Sequence, residues 1–287
     1  MDVMIRELIG VDGEERAVTD QRFDSLSAAA VAEPADAAYL VARTWNGGKV
    51  LELDAHFDRL ERSAATLGVP VRVPRRRVRD VLAEMRRTFP GTPEVRFRVT
   101  AVGAAAGDEP RFRLSMEVAR ELPADLREHG AVCALAVGTV RADASVKSTA
   151  WMQQRAMLPS NGGDAYETLL VRTDGAILEG ASSNVYAILG DTLHTAGSGV
   201  LEGIARGIVL TVAERLAPDL TVSLEPPTLE DLAAGRVREA FLTSATRGVV
   251  PIRRIGNTGV PVPGIWTARI ADEYGRWLRA HLEPLAD

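Results

Sequence analysis

The segment 37–54 reads AAYLVARTW, then NGG, then KVLELD. Two apolar runs around an Asn-Gly-Gly turn are the signal of a β-hairpin. The pattern returns along the chain. EVRFRVTAV (94–102) and RFRLSMEVA (111–119) read as strands, followed by AVCALAV, ETLLVR, a DG turn, AILE, NVYAIL, a GD turn and EAFLTSA (239–245). Helical patterns are fewer. HFDRLERSAATLG (56–68) is closed by Gly68, a second helix covers 75–88, and a third begins soon after Lys147 in TAWMQQRAML. A long helix grows out of TLHTAGSGVLEGIARGIVLTVAERL, and a last one covers roughly 265–282. Strands outnumber helices and hairpins are frequent. An α+β fold with largely antiparallel sheets is therefore expected, rather than a doubly wound one.

RELPADLREHG (120–130) is polar, contains Pro123 and ends in glycine, which makes it the best domain boundary. The expected division is 1–120 as a smaller domain, 121–130 as a linker and 131–287 as a larger domain.

Charge and cysteine content narrow the partners. The net charge of -5 argues against a broad nucleic-acid footprint. The Arg-rich run at 71–80 continues into RRRVRDVLAEMRR, where Val78, Val81, Leu82 and Met85 fall at helical spacing; it reads as an amphipathic helix with a solvated basic face. The single cysteine, Cys133, builds no disulfide framework and reads as a buried strand residue. MDVMIRELIG lacks the basic start and apolar run of a signal peptide, and no apolar stretch reaches bilayer-spanning length. A cytoplasmic protein without membrane partner is expected.

No H-E-x-x-H, G-x-S-x-G or G-x-x-x-x-G-K-[ST] motif is present. The four histidines show no ligand-like spacing and read as surface or capping residues, so no metal site is expected. Lysine is the anomaly: of 34 Lys plus Arg, only Lys49 and Lys147 are lysines. Lys147, in RADASVKSTAWMQQR, is either an ordinary solvated lysine or an amine kept because arginine cannot form a Schiff base. Glu179 in AILEGASSN is a strand-end charge or a partly buried carboxylate. GSGVLEGIARG (197–207) is a simple turn or a phosphate-binding helix start near Gly203. The hydroxyls and Arg247 of FLTSATRG form an ordinary loop or an anion-binding turn.

In their order and spacing these elements, with HFDRLERSA upstream, resemble the fold-type IV pyridoxal-phosphate enzymes, the class IV aminotransferases, over roughly residues 37–255. That family includes branched-chain aminotransferases, D-amino acid aminotransferases and aminodeoxychorismate lyases. The resemblance implies a two-domain α+β fold. A small α/β domain would accompany a larger, mainly antiparallel domain in the form of a pseudo-barrel, and the enzyme would be a homodimer with its active site near the interface. It also implies that Lys147 carries pyridoxal 5′-phosphate as an internal aldimine and moves the substrate proton. Glu179 would pair with the pyridine nitrogen. Arg59 would grip the phosphate and Leu201 would pack on the ring. Gly203 with the amides of Ile204 and Ala205, and Ser244 with Ala245, would form the phosphate cup. Relatives often carry threonine at the positions of Ala205 and Ala245, so two hydroxyls are missing here.

For the substrate, Tyr39, Val41 and Arg43 share one face of their strand, and in the family that face lines the active site. Arg96, Arg98 and Thr100 share a face of the next strand, which is a carboxylate clamp or a solvated sheet face. Thr246 and Arg247 are further substrate candidates. The arginine-histidine trap of D-amino acid aminotransferases is replaced by AVGAAAG, and G-D-G-V-[FY]-E by ADAAYLV. Several available arginines favour a substrate or co-substrate with an extra carboxylate, such as 2-oxoglutarate or D-glutamate, and the expected reaction is transamination between an amino acid, with a lean to D-amino acids, and a 2-oxo acid such as 2-oxoglutarate or pyruvate. Aminodeoxychorismate lyase-type elimination and branched-chain L-amino acid transamination are the alternatives.

Overall fold

The computed structural model describes residues 3–10, 14–17, 22–102, 109–158, 165–262 and 264–286. The chain divides into two compact units. The first holds Met1–Arg120, Val146–Ala156 and His281–Asp287; the second holds Glu121–Ser145 and Met157–Ala280. The chain therefore passes from one unit to the other several times, where the expected division at 121–130 had it pass once. The segment expected as a linker carries a helix, Ala124–Glu128, within the second unit.

In the first unit the strands are β1 (Met4–Ile9), β2 (Glu14–Ala17), β3 (Ala38–Trp45), β4 (Lys49–Leu51), β5 (Val95–Val102), β6 (Arg111–Val118) and β16 (Leu282–Pro284). They form one sheet in the order β16-β4-β3-β5-β6-β1-β2. Its helices are α1 (Leu26–Val31), α2 (Leu53–Thr66), α3 (Arg75–Thr88) and α5 (Thr149–Arg155). Val78, Val81, Leu82 and Met85 of α3 are fully buried against Phe57, Leu60 and the inner face of β5 and β6. The arginines of α3 pair outward, Arg75 with Asp58 and Arg79 with Glu283, as expected of a basic solvated face. One boundary differs from expectation: KVLELD does not run as a strand through Asp54. Glu52 turns into the left-handed region (φ 49°), ending β4 and letting α2 begin at Leu53.

In the second unit the strands are β7 (Ala131–Val137), β8 (Glu167–Val171), β9 (Ile177–Gly180), β10 (Asn184–Leu189), β11 (Thr192–His194), β12 (Thr221–Ser223), β13 (Val237–Ser244), β14 (Gly248–Ile255) and β15 (Thr258–Gly259). With α4 (Ala124–Glu128), its helices are α6 (Ile204–Glu214), α7 (Leu229–Ala233) and α8 (Ile265–Ala280). The sheet order is β12-β11-β10-β13-β14-β7-β8-β9. β9 also pairs with β10 through Asn184 and Glu179, so β10, β13, β14, β7, β8 and β9 close into a ring. Most pairings are antiparallel; β7 is parallel to β8 and β14, and β11 to β12. The ring is filled by Cys133, Leu169, Val185, Leu242 and Ile252. Burial pushes the Cys133 thiol well above its usual range, as expected of an inert strand residue.

Candidate active site

The site residues form two sets, one in each unit. In the first unit, the segment before α5 lies along the start of β3. Tyr39 N–H donates to Lys147 C=O (2.9 Å), Thr149 N–H donates to Ala37 C=O (2.8 Å), and Ala38 and Ser148 form an antiparallel bridge. Lys147 N–H donates to Ser63 Oγ on α2 at 3.3 Å. The Lys147 Nζ stands 5.0 Å from the centre of the Tyr39 ring. The backbone of this lysine is thus tied on both sides, by a strand and by a helix.

His56, Arg59 and Ser63 share one face of α2, at the i, i+3 and i+7 spacing of a helix. All three are buried. Burial, then the charges of Arg59 and Lys147, holds His56 well below its ordinary value, so the imidazole is neutral. The expectation that every histidine is a surface or capping residue fails here. His56 lies on the inward side of α2, in the turn before Arg59.

The register of β3 against β5 opposes Tyr39 to Thr100, Val41 to Arg98 and Arg43 to Arg96. These six residues therefore occupy one sheet face, as their alternation implied. Tyr39, Arg43, Arg98 and Thr100 on this face are buried, while Val41 and Arg96 are partly exposed. Arg98 is 1% exposed and its guanidinium stacks 3.5 Å from the centre of the Tyr39 ring. Arg98 Nη2 is 2.6 Å from Glu33 Oε2. Arg96 pairs with Glu117 at 2.5 Å, and Arg43 stacks over Trp45 at 4.0 Å. Most of AVGAAAG, the stretch said to lack the arginine-histidine trap, lies outside the described residues.

In the second unit, Glu179 sits where the strand ring closes. The residue is 3% exposed. Leu201 N–H donates to Glu179 Oε2 at 3.0 Å, and Arg141 Nη1 lies 3.4 Å from Oε1. Asn184, the strand partner of Glu179, donates from Nδ2 to Leu201 C=O at 2.9 Å. The closing pair thus grips both polar groups of the Leu201 backbone, and this fixes the entry to α6. Gly203 is the N-cap, and a Cβ there would meet Asn184 Oδ1 at 2.4 Å. The start of α6 has neither a side-chain cap nor an acidic residue in its first turn. Its first amides lack intrahelical acceptors, so the end favours an external anion.

The Ser244–Arg247 turn follows β13, the next strand of the ring after β10. Arg247 Nε donates to Ser244 Oγ at 2.8 Å, and its Nη2 reaches Ser182 Oγ (2.9 Å), Ser182 C=O (3.0 Å) and Glu167 Oε2 (3.3 Å). Ser244 accepts that bond and keeps its O–H as a donor. Ala245 and Thr246 are half-buried beside it. Glu167 also accepts from Ser182 Oγ and Ser183 Oγ. Arg141, Glu167, Ser63 and Glu33 had no role in the sequence reading. Arg141 had a local signal, since it opens the same stretch that carries Lys147. Glu33 had none. Among the described residues no cluster of His, Cys, Asp or Glu could hold a metal, and no helix is long and apolar enough to cross a membrane.

A buried carboxylate beside an uncapped, glycine-entered helix start fits a ligand with a protonated ring nitrogen and a phosphate, which is the chemistry of pyridoxal 5′-phosphate. Comparison with known proteins agrees. The family model for amino-transferase class IV matches residues 41–255, and the chain belongs to that family. Its enzymes work with pyridoxal 5′-phosphate. The chain is 29% identical over 255 residues to a D-alanine aminotransferase from Bacillus licheniformis, covering 82% of this chain and 85% of that one. It is 24% identical over 215 residues to an aminodeoxychorismate lyase from Bacillus subtilis, covering 71% and 72%. In fold, it is similar to a branched-chain aminotransferase from Thermoproteus uzoniensis solved with norvaline (TM-score 0.78, 19% identity, 99% of each chain covered).

Proposed function

We propose that this protein transfers an amino group between an amino acid and a 2-oxo acid such as 2-oxoglutarate or pyruvate, with pyridoxal 5′-phosphate joined to Lys147. The buried Glu179, fixed by Leu201 N–H and Arg141 at the closure of the strand ring, is the observation that carries this reading. The cofactor, when bound, supplies an electron sink for the pair left at the substrate Cα after proton loss. Lys147 contributes a primary amine that attacks a carbonyl carbon and afterwards moves a proton to and from Cα. Glu179 holds a negative charge where the ring nitrogen carries its proton. The α6 amides of Ile204 and Ala205, with Gly203, Ser244, Ala245 and Arg59, bind the phosphate, and Leu201 covers the ring. Tyr39, Arg43, Arg96, Arg98, Thr246 and Arg247 are the residues proposed to shape the substrate pocket.

Donor stereochemistry is proposed as D, on the likeness to the D-alanine aminotransferase. The likeness to the lyase supports a second reading, elimination of pyruvate without an amino acceptor. The experiment is a half-reaction screen of the purified holoenzyme over L- and D-amino acids, followed by absorbance. Conversion by D-amino acids that is reversed by a 2-oxo acid supports transamination. Turnover of aminodeoxychorismate without acceptor supports the lyase. We further propose a cytoplasmic homodimer, which light scattering on the purified protein tests.

A further inference from the structure

Of the four arginines proposed for the substrate pocket, Arg96, Arg98 and Arg247 are paired with the protein's own acids. Arg96 is paired with Glu117 and Arg247 with Glu167. Arg98 is the deepest of them, with its side chain 1% exposed and that of its partner Glu33 0% exposed. Glu33 Oε2 accepts from Arg98 Nε (2.8 Å) and from Thr100 Oγ1 (2.8 Å), and Arg98 Nε also reaches Thr100 Oγ1 at 3.0 Å. The pair belongs to the Lys147 end of the first unit, because the Arg98 guanidinium and the Lys147 Nζ both lie within 5.0 Å of the Tyr39 ring centre.

Resting on the transamination reading, we propose that Glu33 is a specificity-determining residue: by cancelling the Arg98 charge beside Tyr39 it selects monocarboxylic 2-oxo acids and amino acids with uncharged side chains. A bare arginine on this face would recruit a distal carboxylate bidentately. With Glu33 in place the Arg98 charge is neutralised: Nε and Nη2 both lie against Glu33 Oε2, which leaves no net positive charge to draw a second carboxylate. Glu33 Oε1 is itself buried and has no hydrogen-bond partner among the described residues, so it adds negative charge beside Arg98 without contacting the ligand. Discrimination then comes from a repulsive element, with the attractive one withheld. This narrows the two co-substrates above to pyruvate and its monocarboxylic relatives.

The test uses the purified holoenzyme and one fixed amino donor, with kcat/KM measured for pyruvate and for 2-oxoglutarate. Wild type should favour pyruvate by about tenfold or more, and Glu33→Gln should shift the ratio toward 2-oxoglutarate by a similar factor. Adding Arg98→Gln to Glu33→Gln should restore the wild-type ratio, a reversal that general loss of packing does not produce. Should Glu33→Gln fail to fold, the wild-type ratio decides. A wild type that uses 2-oxoglutarate as well as pyruvate, or a folded Glu33→Gln enzyme with an unchanged ratio, would overturn the assignment while leaving transamination intact. No turnover with any 2-oxo acid would overturn the transamination reading and the assignment together.

Discussion

Arg141 Nη1 stands 3.4 Å from Glu179 Oε1, and the side chains are 5% and 4% exposed. The arginine opens the loop that leads to Lys147, and the carboxylate closes the strand ring. A buried pair of this kind is costly to halve, because the survivor is left as an uncompensated charge. Arg141→Met should therefore destabilise the protein by about 3–5 kcal/mol, read as a clear fall in the unfolding midpoint. Glu179→Gln should also lower kcat, by roughly 10²–10³, the scale on which placed charge acts in catalysis. Undiminished kcat in that variant would remove the proposed pairing with the ring nitrogen.

The entry to α6 makes a steric prediction. Gly203→Ala pushes a methyl group to 2.4 Å from Asn184 Oδ1, the side chain that holds Leu201 C=O. Either the amide or the loop must shift. Cofactor affinity should fall by about tenfold, the equivalent of one charge-assisted hydrogen bond, while the fold is kept. Titration of the apo-protein with pyridoxal 5′-phosphate checks it, with circular dichroism as the control.

The missing hydroxyl at Ala245 predicts a gain. Ala245→Thr adds an O–H donor to the turn that carries Ser244, at a half-buried position. One more hydrogen bond to the phosphate is worth about 1 kcal/mol, so cofactor should bind roughly fivefold more tightly. Unchanged or weaker binding would mean that the turn does not face the phosphate.

His56 predicts how stability depends on pH. Its folded value is lowered, by burial first and then by Arg59 and Lys147. An unfolded histidine takes up its proton near pH 6.5, while the folded one stays neutral to lower pH. The unfolded state then binds the extra proton, so this contribution is complete above about pH 6.5 and is lost as the pH falls below it. The unfolding free energy from urea titrations should drop between about pH 6.5 and pH 5, by at most about 1.4 kcal/mol per pH unit from this group, and His56→Asn should flatten that drop. Identical slopes in the two proteins would exonerate His56.

The sequence carried what short-range physics writes into it. Helix α3 was legible because Val78, Val81, Leu82 and Met85 recur at helical spacing. The shared face of Tyr39, Arg43, Arg96 and Arg98 followed from alternation, whereas the strand-end and glycine signals at Glu179 and the α6 entry left an ordinary turn open, and it was the family resemblance that singled them out. Long-range matches were not legible. Glu33 reaches Arg98 from a loop far back in the chain, so the sheet face read as either a carboxylate clamp or a solvated face carries an internal ion pair. Pro251 hid β14, since proline argues against a central strand, although the strand lies within the ring. β16 is only Leu282–Pro284 and gains its identity from pairing with β4.

One amine is proposed to do the chemistry, and the scarcity of lysine lets a single residue be tested. Pyridoxal 5′-phosphate is added to the purified protein, the linkage is reduced with borohydride, and the labelled peptide is identified by mass spectrometry. Only Lys49 and Lys147 compete for the label, apart from the chain's N-terminal amine. The label is expected at Lys147, with the visible absorbance and all turnover lost in Lys147→Ala while the fold is retained. Label at Lys49, or full activity in the Lys147→Ala protein, would contradict that expectation.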